Sequence, residues 1–153
     1  MNPDRIGLSI VIPVRNEAEN IVPLAHEITA VMEKQPLAWE CIWIDDGSTD
    51  ATLNVLRGLA SADSRYRFIS FTDNAGQSAA FIAGFNEARG EIIATMDGDG
   101  QNDPADIPPL IEMVQSGGAD MANGYRMRRK DNFKRKFTSF VANLFRTFMT
   151  GKR

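Results

Sequence analysis

Four short apolar, β-prone runs punctuate this chain, and each breaks off into a polar cluster before a helical pattern begins. The first is Leu8-Ser9-Ile10-Val11-Ile12-Pro13, followed by Arg15 to Glu17 and then by Ile21, Leu24, Ala25, Ile28, Val31 and Met32 at three- and four-residue steps. That spacing puts one apolar stripe on a helix. Asn16, with Glu19 three residues later, predicts a capping arrangement at its start. Trp39 to Ile44 is the second run; it ends in Asp45-Asp46-Gly47-Ser48, and Leu53, Leu56 and Leu59 mark the next helix. Arg67 to Thr72 is the third, before Asp73 to Gln77 and a small apolar helix over Ser78 to Ala88. Glu91 to Met96 is the fourth, opening onto Asp97 to Asp103 and a helix over Asp106 to Gln115 that carries Pro108 and Pro109. A fifth short strand is predicted over Met121 to Tyr125.

Strands alternating with helices imply βαβ units and a mostly parallel sheet covered on both faces. A chain of 153 residues suits one such domain, which buries roughly two-thirds of its unfolded surface. Ligands of open α/β sheets bind outside the carboxyl ends of the strands. All four polar clusters follow strands, so they are predicted to converge on one rim although they are scattered in sequence.

Among them Asp97-Gly98-Asp99 is the most telling, because two carboxylates one residue apart at a strand end can hold a hard divalent cation on a phosphate. Mg²⁺ and Mn²⁺ take one or two protein carboxylates and complete their shell with substrate oxygen. A solvated turn with helix-capping side chains is the plainer reading of the same residues. An EF-hand calcium loop is excluded: counting from Asp97, the sixth position is Asn102 where Gly is needed, and the twelfth is Pro108 where Glu is needed. No Gly-x-Gly-x-x-Gly follows the first strand, and no Gly-x-x-x-x-Gly-Lys-Ser/Thr occurs, so phosphates would be handled through a metal.

Cys41 is the only cysteine and lies inside an apolar run, which predicts a reduced core thiol. His26 has no second histidine or cysteine at ligand spacing and is placed on a helix surface without a role. Met1 to Arg5 is short and polar, unlike a signal peptide, and no run approaches bilayer-spanning length. The expectation from these features is a cytoplasmic location.

The net charge of −3 conceals a strong asymmetry. Residues 1–125 hold 7 Lys and Arg against 19 Asp and Glu, a net −12, whereas residues 126–153 hold 10 against 1, a net +9. Within that tail Phe137, Phe140, Val141, Leu144, Phe145, Phe148 and Met149 fall at helical steps behind Arg128, Arg129, Lys130, Lys134, Arg135 and Lys136. An aromatic-rich amphipathic helix with basic flanks suits the interface of an anionic membrane. The alternative is that the stripe packs on the rest of the domain or on a second subunit, giving a homo-oligomer. Nucleic acid is disfavoured, because the aromatics form an apolar stripe and do not alternate with Arg and Lys along a base-stacking groove.

Ile12-Pro13-Val14-Arg15-Asn16-Glu17, Asp45-Asp46-Gly47-Ser48-Thr49-Asp50, Asn74-Ala75-Gly76 and Asp97-Gly98-Asp99-Gly100-Gln101, in this order, resemble the motifs of the inverting family 2 glycosyltransferases of the GT-A fold. The likeness runs from about Leu8 to the end. It is strongest to the branch of dolichol- and polyprenyl-phosphate mannosyl-, glucosyl- and aminoarabinosyltransferases. The resemblance implies a three-layer α/β sandwich with a mostly parallel central sheet. It also implies transfer of a sugar from a UDP- or GDP-sugar to a polyprenyl (undecaprenyl or dolichyl) phosphate with inversion, dependent on Mg²⁺ or Mn²⁺.

Residue by residue, the resemblance implies that Pro13 and Glu17 shape the nucleoside pocket and Asp45 hydrogen-bonds the base. Val14, Asn16, Asp46, Gly76, Gln77 and Gly98 belong to the same nucleotide-sugar site. Asp97 and Asp99 hold the metal, with Gln101 a further polar contact to it, and Arg126 faces phosphate. Read from the residues alone, Pro13 also suits a strand stop, Asp45 a helix cap and Arg126 the basic tail. Gly98 and Gly100 stand where relatives commonly carry Ala and Leu, which implies a more mobile loop. The chain ends at Gly151-Lys152-Arg153, before a segment that completes the acceptor side in relatives. The expectation is therefore a donor-binding half, residues 1–126, with a basic amphipathic segment, 127–153, peripheral on the cytoplasmic membrane face. A non-catalytic nucleotide-sugar-binding module and a nucleotidyltransferase are the competing readings; the second lacks a Gly-rich, Lys- or Arg-bearing loop after the first strand here.

Overall fold

The computed structural model describes residues 6–117 and 120–124, and all four apolar runs form strands. β1 (Leu8–Val14), β2 (Trp39–Asp45), β3 (Tyr66–Ser70) and β4 (Ile92–Thr95) lie parallel in the order β3-β2-β1-β4. Between them run α1 (Ala18–Met32), α2 (Thr52–Ala62) and α3 (Gln77–Glu87); after β4, a 3₁₀ turn at Pro104–Asp106 leads into α4 (Ile107–Gln115). The chain divides into two units, Met1–Ala122 and Asn123–Arg153, and all these elements belong to the first.

β1 and β2 form the middle of the sheet and are buried on both faces, which explains their nearly unbroken apolar sequences. Alternation sends Leu8, Ile10, Ile12, Cys41 and Trp43 to one face, against Ile21, Leu24 and Ile28 of α1, Leu56 of α2 and Ile107 of α4. Val11, Ile42 and Ile44 go to the other, against Ala80 of α3. Each fully buried Leu or Ile stabilises this sandwich by about 1.5–3 kcal/mol. Cys41 is a buried free thiol whose pKa burial raises well above the ordinary range, and His26 is exposed on α1.

Two polar devices fix the layers. The Tyr66 hydroxyl donates to the Ala25 carbonyl at 2.6 Å and shares a 2.7 Å hydrogen bond with Thr29, tying β3 to α1. Burial pushes its pKa up from 10.0 to about 12. Glu40, also buried, accepts from the Ser9 hydroxyl at 2.8 Å, the Arg89 N–H at 2.8 Å and Arg67 at 3.0 Å, which anchors the chain leaving α3 to the sheet. The charge is therefore paired where burial alone would oppose it.

Three local expectations change. Asn16 and Glu19 do not cap α1: the N-cap is Glu17, it makes no side-chain capping bond, and Asn16 takes a left-handed conformation with φ 57°. The helix over Asp106 to Gln115 begins earlier as the 3₁₀ turn, because Asp103 accepts from the Ala105 N–H and Pro104 opens the turn. The predicted fifth strand is absent over 121–124, where Asn123 and Gly124 carry low β propensity; Tyr125 lies outside the described residues.

Candidate active site

The carboxyl ends of the strands form the rim, and Pro13 shows how the sequence opens it. Gly7 and Val11 turn their carbonyls toward β4, accepting from Ile92 and Met96. Pro13 lies in the same phase of β1, but β4 has already ended at Thr95, so no ladder bond is lost to its missing N–H. The chain leaving β4 passes over this gap. A Cβ on Gly98 would lie 2.3 Å from Val14 Cγ1 and 3.2 Å from the Pro13 carbonyl oxygen. Gly98 is buried in close approach to the end of β1. Gly100, at φ 70°, needs glycine for its left-handed backbone.

The predicted convergence of the four clusters is found, and their contacts run from each cluster to the next. Between the first and second, the Asn16 N–H donates to Ser48 Oγ at 2.9 Å, and the Thr49 N–H donates to Asn16 Oδ1 at 2.8 Å. The opening N–H groups of α1 are satisfied across the same seam: Glu17 donates to Thr52 Oγ1 at 2.9 Å and Ala18 to Asp50 at 3.4 Å. Hydrogen bonds from Thr52 hold the Asp50 carboxyl below its usual range. Between the second and third clusters, Asp46 accepts from the Ala75 N–H at 2.7 Å and the Gly76 N–H at 3.0 Å. Gln77 Nε2 donates to Asp97 Oδ1 at 3.2 Å, joining the third to the fourth. Gly98, close against Val14 and Pro13 at the end of β1, brings the fourth cluster beside the strand that leads into the first.

Burial separates the carboxylates into two kinds. Asp45 and Asp46 are 1% and 6% exposed and are held by protein donors: Asp46 by the Ala75-Gly76 loop, and Asp45 by the Ser48 N–H at 3.0 Å and the Ser70 hydroxyl at 2.9 Å. Asp97 and Asp99 are partly exposed on the turn after β4, and Asp99 accepts the Gln101 N–H at 3.0 Å, fixing the turn from within. Asp97, Asp99 and Gln101 offer hard oxygen ligands only. Among the described residues no group of three or more His, Cys, Asp or Glu is placed to hold a metal. The donor set therefore fits Mg²⁺ or Mn²⁺ completed by phosphate oxygen, and does not fit a closed structural metal cage.

Pro13, Val14, Asn16, Glu17, Asp45, Asp46, Gly76, Gln77, Asp97, Gly98, Asp99 and Gln101 all lie in or beside this rim. Arg126 and the stripe from Phe137 to Met149 lie outside the described residues. Ser48 and Asp50 lie in the second motif but carried no role in the sequence, and Thr52 and Ser70 lie outside every motif, although all four supply the cross-loop bonds. Ser70 is the register partner of Asp45 across β2 and β3, and register is what the sequence does not display. Among the described residues no helix is long and apolar enough to cross a membrane.

Comparison with known proteins agrees with this architecture. Residues 9–152 match the family described as Glycosyl transferase family 2. The chain is 43% identical over 148 residues to a dodecaprenyl-phosphate galacturonate synthase of Rhizobium johnstonii, covering 95% of this chain and 44% of that protein. It is 39% identical over 146 residues to an undecaprenyl-phosphate 4-deoxy-4-formamido-L-arabinose transferase of Salmonella paratyphi A, again covering 95% and 44%. The chain thus spans less than half the length of the curated relatives it matches.

Among solved structures, S. aureus TarS 1-349 in complex with UDP-GlcNAc superposes with a TM-score of 0.62 at 18% identity, over 83% of this chain and 37% of that one. The mannosyltransferase PcManGT from Pyrobaculum calidifontis, in complex with GDP-Man and Mn²⁺, gives 0.56 at 23%, over 72% and 32%. The fold is of the GT-A type, and the chain belongs to glycosyl transferase family 2.

Proposed function

We propose that this chain carries the donor-binding part of a glycosyltransferase that moves a sugar from a nucleoside diphosphate sugar to a polyprenyl phosphate with inversion. The observation that carries the reading is the convergence of four loops at the strand ends, with Asp97 and Asp99 at the exit of β4. The relatives named for dodecaprenyl- and undecaprenyl-phosphate sugar chemistry support the acceptor class. In this reading Pro13, Val14, Asn16 and Glu17 line the nucleoside end, Asp45 accepts a ring N–H of the base, and Asp46 holds the Ala75-Gly76 loop against it. Gln77 orients the Asp97 carboxylate, and Asp97, Asp99 and Gln101 face the diphosphate. Asp97, Asp99 and Gln101 would hold a divalent cation, which when bound would neutralise the charge that develops on the leaving diphosphate.

A polyprenyl phosphate acceptor would need no dedicated base. A hydroxyl acceptor needs a positioned carboxylate to take its proton. A phosphate monoester, with a second pKa of about 6, is already largely ionised near neutrality. Attack from the face opposite the leaving diphosphate, in one step, inverts the anomeric carbon. The basic, apolar sequence of the tail suits attachment of the chain to an anionic membrane on the cytoplasmic side. The test is product analysis with UDP- and GDP-sugars and a polyprenyl phosphate. Sugar on the lipid with release of nucleoside diphosphate supports the reading, nucleotidyl transfer contradicts it, and binding without turnover leaves a nucleotide-sugar-binding module.

A further inference from the structure

Asp45 presents a problem for any base that would hydrogen-bond to it. The residue is 1% exposed, and each of its carboxylate oxygens already has a protein donor. The donors are unlike. At Oδ1 it is the Ser48 backbone N–H, at 3.0 Å, fixed by the loop that also bonds Asn16. At Oδ2 it is the Ser70 hydroxyl, at 2.9 Å, carried on a single side-chain torsion by an exposed residue at the last position of β3. Reaching Oδ1 would require rebuilding the backbone. At Oδ2 the Ser70 hydroxyl can turn away without any change of backbone, and at an exposed residue water takes over its hydrogen bond.

We infer that Ser70 is a specificity-determining residue of the nucleotide site: its hydroxyl occupies the place on Asp45 Oδ2 that a ring N–H of the base takes on binding. The inference rests on the reading of Asp45 given above and deepens it. An ionised carboxylate only accepts hydrogen bonds. The exchange therefore favours bases whose ring nitrogen carries a hydrogen, uracil at N3 or guanine at N1. Adenine and cytosine present a lone pair there and leave Ser70 in place.

The test is calorimetric titration of the complete chain, in Mn²⁺, with UDP, GDP and their 3-methyluridine and 1-methylguanosine counterparts. The proteins are wild type, Ser70→Ala and Ser70→Thr. Ser70→Ala should bind the preferred unmethylated nucleotide more tightly by roughly two- to tenfold, the factor of one net hydrogen bond. Its affinity for the methylated counterpart should not rise, and Ser70→Thr, which keeps the hydroxyl, should not show the gain. If wild type discriminates against the methylated form but Ser70→Ala binds equally or more weakly, the role of Ser70 is overturned and that of Asp45 stands. If wild type binds both forms equally, or binds neither, the reading of Asp45 fails and the inference falls with it.

Discussion

Asn16 offers a stability experiment in which the usual order of two substitutions is reversed. At φ 57° it holds a left-handed backbone while Oδ1 accepts from the Thr49 N–H at 2.8 Å and the Thr49 hydroxyl at 3.3 Å. Asn16→Ala removes that acceptor, costing about 0.5–1.5 kcal/mol, and places a Cβ in the left-handed region without a compensating polar group, costing about 1–2 kcal/mol more. Asn16→Gly loses the same bonds but adopts the conformation freely. Its added cost is the greater freedom of the unfolded chain, about 0.5–1 kcal/mol. Ala should therefore be less stable than Gly by about 0.5–1 kcal/mol, the difference between those two terms. At an ordinary backbone position Ala is the more stable by a similar amount. Urea unfolding followed by circular dichroism measures this as a lower midpoint for Ala with an unchanged slope. Equal midpoints, or Ala above Gly, would refute the claim that backbone conformation at Asn16 shapes the rim.

Gly98→Ala should lower the melting temperature by overpacking worth about 1–3 kcal/mol, since its Cβ would meet Val14 Cγ1 at 2.3 Å; adding Val14→Ala should recover part of the loss, and no recovery would contradict the close approach. Tyr66 ionises at about 12 against an ordinary 10.0. Its folded pKa is the higher one, so its contribution to stability is complete below pH 10 and is lost as pH rises toward about 12. Tyr66→Phe should remove that alkaline limb from the pH dependence of unfolding, and an unchanged limb assigns it elsewhere. In vesicle sedimentation the chain should pellet with anionic and hardly with neutral liposomes, each surface-near Lys or Arg contributing about 1 kcal/mol. Phe140→Glu with Leu144→Glu should release it; unfolding or loss of an oligomer instead would make the stripe a packing surface.

The sheet was legible in the sequence because its two central strands are buried on both faces and leave nearly continuous apolar runs, Leu8 to Val14 and Trp39 to Asp45. The gathering of polar clusters on one rim followed from parallel topology alone. What the sequence hid depends on contacts between distant segments. Asn16 carries the composition of a helix cap, yet Ser48 and Thr49, more than thirty residues away, draw it into the next loop. Gly98 carries the composition of a flexible turn, yet packing against Val14 makes it a close contact. Ser70 faces Asp45 through a strand register that no local pattern encodes. The strand expected at Met121 failed for the opposite reason, since a local pattern interrupted by Asn123 and Gly124 found no partner over 121–124.

Asp97 and Asp99, on the turn after β4, are proposed to hold a divalent cation on a nucleoside diphosphate. The decisive experiment is calorimetric titration of UDP and GDP with and without Mn²⁺, on wild type and Asp99→Ala. Mn²⁺ should strengthen binding of the preferred nucleotide to wild type. Asp99→Ala should lose most of that metal-linked gain while its circular dichroism is unchanged, because a partly exposed turn carboxylate contributes little to the core. Equal affinity of the two proteins in Mn²⁺ would mean that Asp99 does not hold the metal.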